Sequence, residues 1–308
     1  MKLGCCTWNF FTEFPSPPDE AIAQIAEMGF DGFELIVLST EELRDYYTPA
    51  RVRHLRNNYE SQGLLLSRFA IGSYPLQALA QFEPENQQSA LDAFALGATV
   101  ARDLGADLVS FVPAWPEGLV APHQYLPLYI HPAVNGALST AGPTWRLDLP
   151  ESFVWSTIWD NYVRSLEACV SIAAEAEVRL ALEGHPLTIL SNTDSFLRLF
   201  DQMPAPQLGV NLDMAMQAAI HREYPPISIH KLGQKLFHVH ARDTDGALNY
   251  SVPVGSGILD WPAIIKSLQQ IGFDGFISIE LGENCREPER YVRQAKAYLD
   301  TILAETDD

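Results

Sequence analysis

Residues 237–243 read FHVHARD, two histidines one residue apart inside an apolar run. Side chains on a strand alternate between its two faces with a period of two. Phe237 and Val239 are therefore expected on one face, and His238 and His240 on the other. A strand that gives its apolar face to covering helices turns the histidines into an enclosed space. The interior of a parallel barrel is such a space. His240 would lie nearer the C-terminal mouth, where barrel enzymes do their chemistry, and His238 deeper, as a hydrogen-bonded core histidine.

The chain around this stretch repeats the same kind of element. Strand-like runs occur at 2–8 (KLGCCTW), 32–37 (GFELIV), 64–70 (LLLSRFA), 107–112 (DLVSFV), 178–184 (VRLALEG), 208–213 (LGVNLD), 236–241 (LFHVHA) and 275–280 (GFISIE). Amphipathic stretches such as PDEAIAQIAEMG and QSALDAFALGATVARDLG separate them, and several end in Gly, as helix C-termini do. Eight strands alternating with helices predict one α/β domain over 1–308, a (β/α)8 TIM barrel. An open doubly wound sheet fits less well, because no G-x-G-x-x-G follows the first strand. The pentapeptide GFDGF occurs at 29–33 and again at 272–276, each time between a helix and a strand. Shared turn chemistry or an internal repeat would each produce it.

One segment breaks the rhythm. Residues 113–152 contain seven prolines together with Trp115, Tyr125, Tyr129 and Trp145. Proline at that density permits neither a long helix nor a central strand. The segment reads as a long loop after strand 4, on the catalytic face, acting as a lid or a partner-binding surface.

The same parity rule applies to the other late strands. Glu183 and His185 oppose Leu182, Asp213 and Asn211 oppose Leu212, and Glu280 opposes Ile279. Strands 5, 6 and 8 thus carry an inward carboxylate near their C-terminal ends, and strand 7 carries His240. Three carboxylates crowded at one mouth repel one another unless a cation joins them. Two Glu, one Asp and one His form an oxygen-rich set with one imidazole, suited to one divalent ion. Mn²⁺ is the first expectation, with Mg²⁺, Co²⁺ or Zn²⁺ as alternatives.

Composition narrows the partners. Thirty-nine acidic residues face 20 basic ones, a net charge of −19, which repels nucleic acid and anionic lipid. No apolar run reaches the length of a membrane span, and no apolar segment of signal-peptide type precedes Cys5. The four cysteines show no C-x-x-C spacing, which reads as reduced thiols in a cytoplasmic protein. In VPVGSGILDW (252–261), Asp260 is the expected helix cap, with Gly255 and Gly257 as turn residues.

From GCCTW (4–8) through ALEGHP, NLDMA, HVHARD and VPVGSGILDW to ISIELG, the chain resembles the sugar isomerase/epimerase superfamily of xylose isomerase-like barrels. Tagatose-type 3-epimerases, inosose dehydratases and one class of apurinic endonucleases belong there. The resemblance implies Glu183, Asp213, His240 and Glu280 as metal ligands. It also implies Glu183 and Glu280 as the two proton-exchanging groups, and a sugar or polyol as substrate. His185, Trp8 and Glu34 resemble substrate-pocket residues, and Arg242 and Trp115 are further expected substrate contacts. Two departures stand out: Met216 replaces a familiar histidine after strand 6, and Ala-Arg-Asp follows the strand 7 histidine. The acidic surface argues against the endonuclease branch. The expected chemistry is removal of a proton α to a carbonyl with a Lewis-acid metal. The alternatives are a lyase or dehydratase acting on a keto-sugar, keto-inositol or 3-keto-glycoside, or a subunit active only with a partner chain. A homo-oligomer, dimer or tetramer, is also expected.

Overall fold

A computed structural model describes residues 1–14, 17–116, 151, 153–246, 252–282 and 285–306. Eight parallel strands close into a barrel in chain order: β1 (Lys2–Cys6), β2 (Gly32–Val37), β3 (Leu65–Ile71), β4 (Leu108–Phe111), β5 (Arg179–Glu183), β6 (Leu208–Asp213), β7 (Leu236–Ala241) and β8 (Phe276–Ile279). β1 closes the ring on β8, with Leu3 opposite Ile277 and Cys5 opposite Ile279. Every expected strand is present: β2, β6 and β7 have the expected bounds, β3 lies one residue later, and β1, β4, β5 and β8 are each two residues shorter. Most of the aromatic loop, 117–150 and residue 152, lies outside the described residues, so its expected role as a lid does too.

Local sequence explains where the covering helices start and stop. Ser39, Thr48, Asn192 and Asp260 each accept a backbone N–H from the first turn of the helix they precede. Pro49, Pro84, Pro225 and Pro262 stand in first turns, where the missing N–H costs nothing. Both GFDGF copies use their first glycine alike: Gly29 (φ 73°) and Gly272 (φ 69°) leave a helix in the left-handed region that side chains avoid. Between barrel and helices lies a continuous apolar layer that includes Phe33, Leu35, Leu182, Val210, Leu212, Val239 and Ile277.

Two bulges break the simple alternation, and one overturns an expectation. Between β6 and β7 the register moves from Val210↔Leu236 to Asn211↔His238, which skips Phe237. Phe237 therefore does not join Val239 in the helix-facing layer. It clusters with Leu108 and Ala181 and lies over Gly209, where a Cβ would stand 2.5 Å from its ring. A bulge adds one residue to one strand and re-aims the side chain there. Phe237 thus closes the floor of the barrel beneath the histidines. Between β2 and β3 the register moves from Phe33↔Leu66 to Glu34↔Arg68, which sets an acid directly beside a base.

Candidate active site

The inner wall of the barrel carries a connected polar cluster under a cavity of about 880 Å³. Glu34, on β2, is fully buried within this cluster. Glu34 Oε1 lies 2.8 Å from His238 Nε2. Its Oε2 accepts from Arg68 Nε at 2.5 Å and lies 3.2 Å from His240 Nε2. The paired histidines of FHVHARD thus share one carboxylate. The sequence reading put Glu34 at a strand end on the pocket wall; it is instead the third residue of β2, under the cavity. Arg68 and the burial of Glu34 went unread, although Arg68 is the one charge in the apolar run LLLSRFAIG; Asn211 was read as inward-facing, but not its bond to Glu183.

The next layer contains the four expected ligands. One ligand atom each from Glu183, Asp213, His240 and Glu280 lies within 4.8 Å of the others. His240 Nδ1 stands 2.8 Å from Glu280 Oε2 and 3.1 Å from Glu183 Oε1. Glu183 Oε2 accepts from Asn211 Nδ2 at 2.7 Å and from Arg68 Nη1 at 3.1 Å. The other oxygen, Oε1, faces His240 and, at 3.5 Å, His185 Nε2. Asp213 Oδ1 accepts the backbone N–H of Met216, and Arg242 Nη2 pairs with Asp213 Oδ2 and lies 3.6 Å from Glu280 Oε2. Trp8, in the short 3₁₀ turn after β1, donates its indole N–H to Glu280 Oε1 at 3.2 Å. Trp8, His185, Arg242 and Trp115 all line the cavity. Trp115 is held there through its indole N–H to Pro186 O, and through Gln77, which bonds both its backbone groups.

Electrostatics follows from this packing. Burial works against charge on Glu183, but His240, hydrogen bonds with both His185 and His240, and Arg68 hold its carboxyl well below the usual range. For Glu280, Arg242 and His240 overcome burial and hold it at about 2. Burial disfavours charge on His240, yet the charges of Glu183, Glu280 and Glu34 push it well above an ordinary histidine. Asp213 goes the other way: burial, Glu280 and Glu183 raise it despite Arg242. His238 is pushed down by burial, which leaves it neutral beside Glu34.

The donor set fits a divalent cation. It is oxygen-rich with one imidazole. Asp213 Oδ2 and Glu280 Oε2 are also buried without a well-aligned hydrogen bond, even though Arg242 and His240 stand close to them. His240 would offer Nδ1 while Nε2 faces Glu34, the carboxylate backing that fixes a ligating imidazole. A second set, Cys6, Glu34 and His240, is equally close. It fits less well, because the Arg68 guanidinium already neutralises Glu34 and burial holds the Cys6 thiol protonated.

The loop after β7 is fixed by Asp243. Its carboxylate accepts from the backbone of Thr244, Gly255 and Leu259 and from the Trp261 indole, at 2.8–3.1 Å. Gly257 has no room for a Cβ, which would stand 2.2 Å from Asp243 Oδ1. Asp260 caps the following helix through Ala263 N. The glycines of VPVGSG thus serve the packing of this loop.

A closed eight-stranded barrel with an acid–imidazole cluster at its C-terminal mouth defines an α/β-barrel protein with an enzyme-like site. The chain belongs to the family described as xylose isomerase-like TIM barrel, whose model matches residues 22–302. An uncharacterised protein of Methanocaldococcus jannaschii is 29% identical over 310 residues, covering 98% of this chain and 90% of its own length. Fructoselysine 3-epimerase of Escherichia coli O157:H7 is 27% identical over 158 residues, 49% of this chain and 56% of that protein. The matched region thus spans about half the length of that curated relative. An inosose dehydratase of Lacticaseibacillus casei matches over a similar share. The fold superposes on D-psicose 3-epimerase from Clostridium cellulolyticum H10, solved with D-tagatose, with a TM-score of 0.76 at 17% identity, covering 98% of this chain and 99% of that one. Among the described residues, no helix is long and apolar enough to cross a membrane.

Proposed function

We propose that this protein interconverts carbonyl sugars by moving a proton on the carbon next to the carbonyl, as an epimerase or isomerase. The supporting observation is the convergence of Glu183 and Glu280 with Asp213 and His240 beneath one cavity. Glu183, Asp213, His240 and Glu280 would hold a divalent cation, Mn²⁺ first among the candidates. When bound, that cation supplies Lewis-acid polarisation of the carbonyl and relieves the repulsion among the carboxylates.

The chain's own groups supply the rest. Glu183 sends Oε2 to Asn211 and Arg68, so Oε1 is the oxygen left to take a proton. Both carboxylates are held in the ionised form, which a base requires. Glu280 comes from β8 and Glu183 from β5, across the mouth, which suits removal of a proton from one face and return to the other. Trp8 orients Glu280 through its indole N–H, and Trp115 and His185 line the space left for the sugar.

Elimination is the second reading, favoured by the dehydratase among the relatives. The test is metal analysis of the purified protein, followed by NMR of ketoses, keto-inositols and 3-keto-glycosides in D₂O. Deuterium entering recovered sugar without elimination supports epimerisation or isomerisation. Loss of water or an alcohol supports the lyase. No exchange with any carbonyl sugar, in metal-loaded protein, overturns both.

A further inference from the structure

Arg68 is only 3% exposed, yet it borders the cavity. Its Nε is committed to Glu34 and its Nη1 to Glu183. Trp8 covers the guanidinium, ring centroid to Cζ 5.8 Å. The remaining nitrogen, Nη2, has no hydrogen-bond partner among the described residues. On the neighbouring strand, Ser110 also borders the cavity, and its hydroxyl is buried and likewise unpartnered. β3 and β4 pair with Ala70 opposite Ser110, and Arg68, two residues before Ala70, shares its inward face, so the two groups belong to one stretch of inner wall. Native proteins seldom bury a hydroxyl without a partner, because its desolvation is then uncompensated. The orphaned Ser110 hydroxyl and the uncommitted Arg68 nitrogen, both bordering one cavity, mark the place where a ligand oxygen completes the network.

We infer that Arg68 Nη2 and Ser110 Oγ are the substrate-recognition groups on the β3–β4 wall, and that they select an uncharged sugar oxygen over a phosphate. This rests on the sugar-converting reading above. The selection follows from the neighbours. The charge of Arg68 is already matched by Glu34 and Glu183, at 2.5 and 3.1 Å. Asp213 and Glu280 lie in the same cluster, where Arg242 and a divalent cation would together balance the three ligand carboxylates and leave no charge over. A phosphate entering this space would give up its hydration with no net positive charge in the cluster to replace it. A hydroxyl or carbonyl oxygen accepts from Nη2 and Ser110 with no such penalty. The cavity therefore suits an unphosphorylated ketose or keto-polyol.

The experiment uses the metal-loaded protein with two probes: the ketose showing the fastest solvent-deuterium exchange, and the terminal phosphate ester of that ketose. Wild-type kcat/KM is expected to favour the free sugar by about a hundredfold or more. Arg68→Lys keeps a cation between Glu34 and Glu183 but removes the fork. It is expected to raise KM for the free sugar about 10- to 100-fold, with a smaller change in kcat and unchanged metal content. Ser110→Ala, a smaller change that preserves the core, is expected to raise KM severalfold. Unchanged KM in both variants, or in Ser110→Ala if Arg68→Lys does not fold, overturns the recognition role. A wild type that prefers the phosphate ester overturns the selectivity. A wild type that exchanges no sugar at all overturns the underlying reading instead.

Discussion

His240 Nδ1 stands 2.8 Å from Glu280 Oε2, and the opposite nitrogen of the same ring faces Glu34 Oε2 at 3.2 Å. One imidazole thus joins the mouth of the barrel to its interior. With Glu183 and Glu34 also beside it, the ring keeps its proton well above the usual histidine range, despite burial. That proton and a cation would compete for Nδ1.

Metal affinity should therefore be pH-dependent. Ligation requires His240 to lose a proton, so Mn²⁺ binding should tighten about tenfold per pH unit between roughly pH 6 and 8. Calorimetry in buffers of different ionisation enthalpy should show about one proton released per ion. A dissociation constant that does not vary over this range would count against His240 as a ligand.

Glu280→Gln should abolish turnover with the fold intact. The amide keeps the size of the side chain and can still accept from the Trp8 indole, but it takes no proton. The expected loss in kcat is roughly 10²- to 10⁴-fold. Circular dichroism and the melting temperature serve as controls; wild-type activity in a folded, metal-loaded variant would refute the role.

The metal-free protein should lose stability in acid. The Glu280 value of about 2 lies below its unfolded value near 4.5, so its contribution is complete above that unfolded value. It is lost as pH falls from 4.5 toward 2, and amounts to at most about 3 kcal/mol. Glu34 and Glu183, also held low, act in the same direction, while Asp213, held high, opposes them. Thermal melts between pH 6 and 3 should show a falling midpoint; a flat profile would mean the ion pairs do not persist in solution.

Glu34→Ala should be among the most destabilising single changes in the barrel. It takes from the buried Arg68 its closest partner, leaving only Glu183, and removes the shared partner of His238 and His240. The expected cost is about 3–5 kcal/mol in urea unfolding. A loss under 1 kcal/mol would show that the interior charge network contributes little.

Asp243→Ala should loosen the loop after β7 while leaving the cluster itself in place. Four donors lose their acceptor, three of them backbone N–H groups. Roughly 2–4 kcal/mol of stability should go. Hydrogen exchange at the amides of Gly255 and Leu259 should accelerate; unchanged protection there would overturn this account of the loop.

Much of this was legible along the chain. The barrel follows from eight short apolar runs separated by amphipathic segments, each of which reports its own period. The convergence of Glu183, Asp213, His240 and Glu280 follows from parity near the ends of four successive strands. Asp260 as a cap and Gly255 as a turn residue are local features, and both are present. Phe237 was misread because a bulge adds a residue to β7 and reverses the parity before it.

What the sequence determined by itself was the inward-facing carboxylates and histidines of the late strands, because side-chain alternation is a property of a few neighbouring residues. Only the tertiary structure decided which of them touch. Glu34 meets Arg68 because the β2–β3 register shifts there, and Arg68 reaches Glu183, 115 residues further along, because the sheet closes on itself. Register and closure are set by the packing of the whole ring of strands, and no local period encodes them.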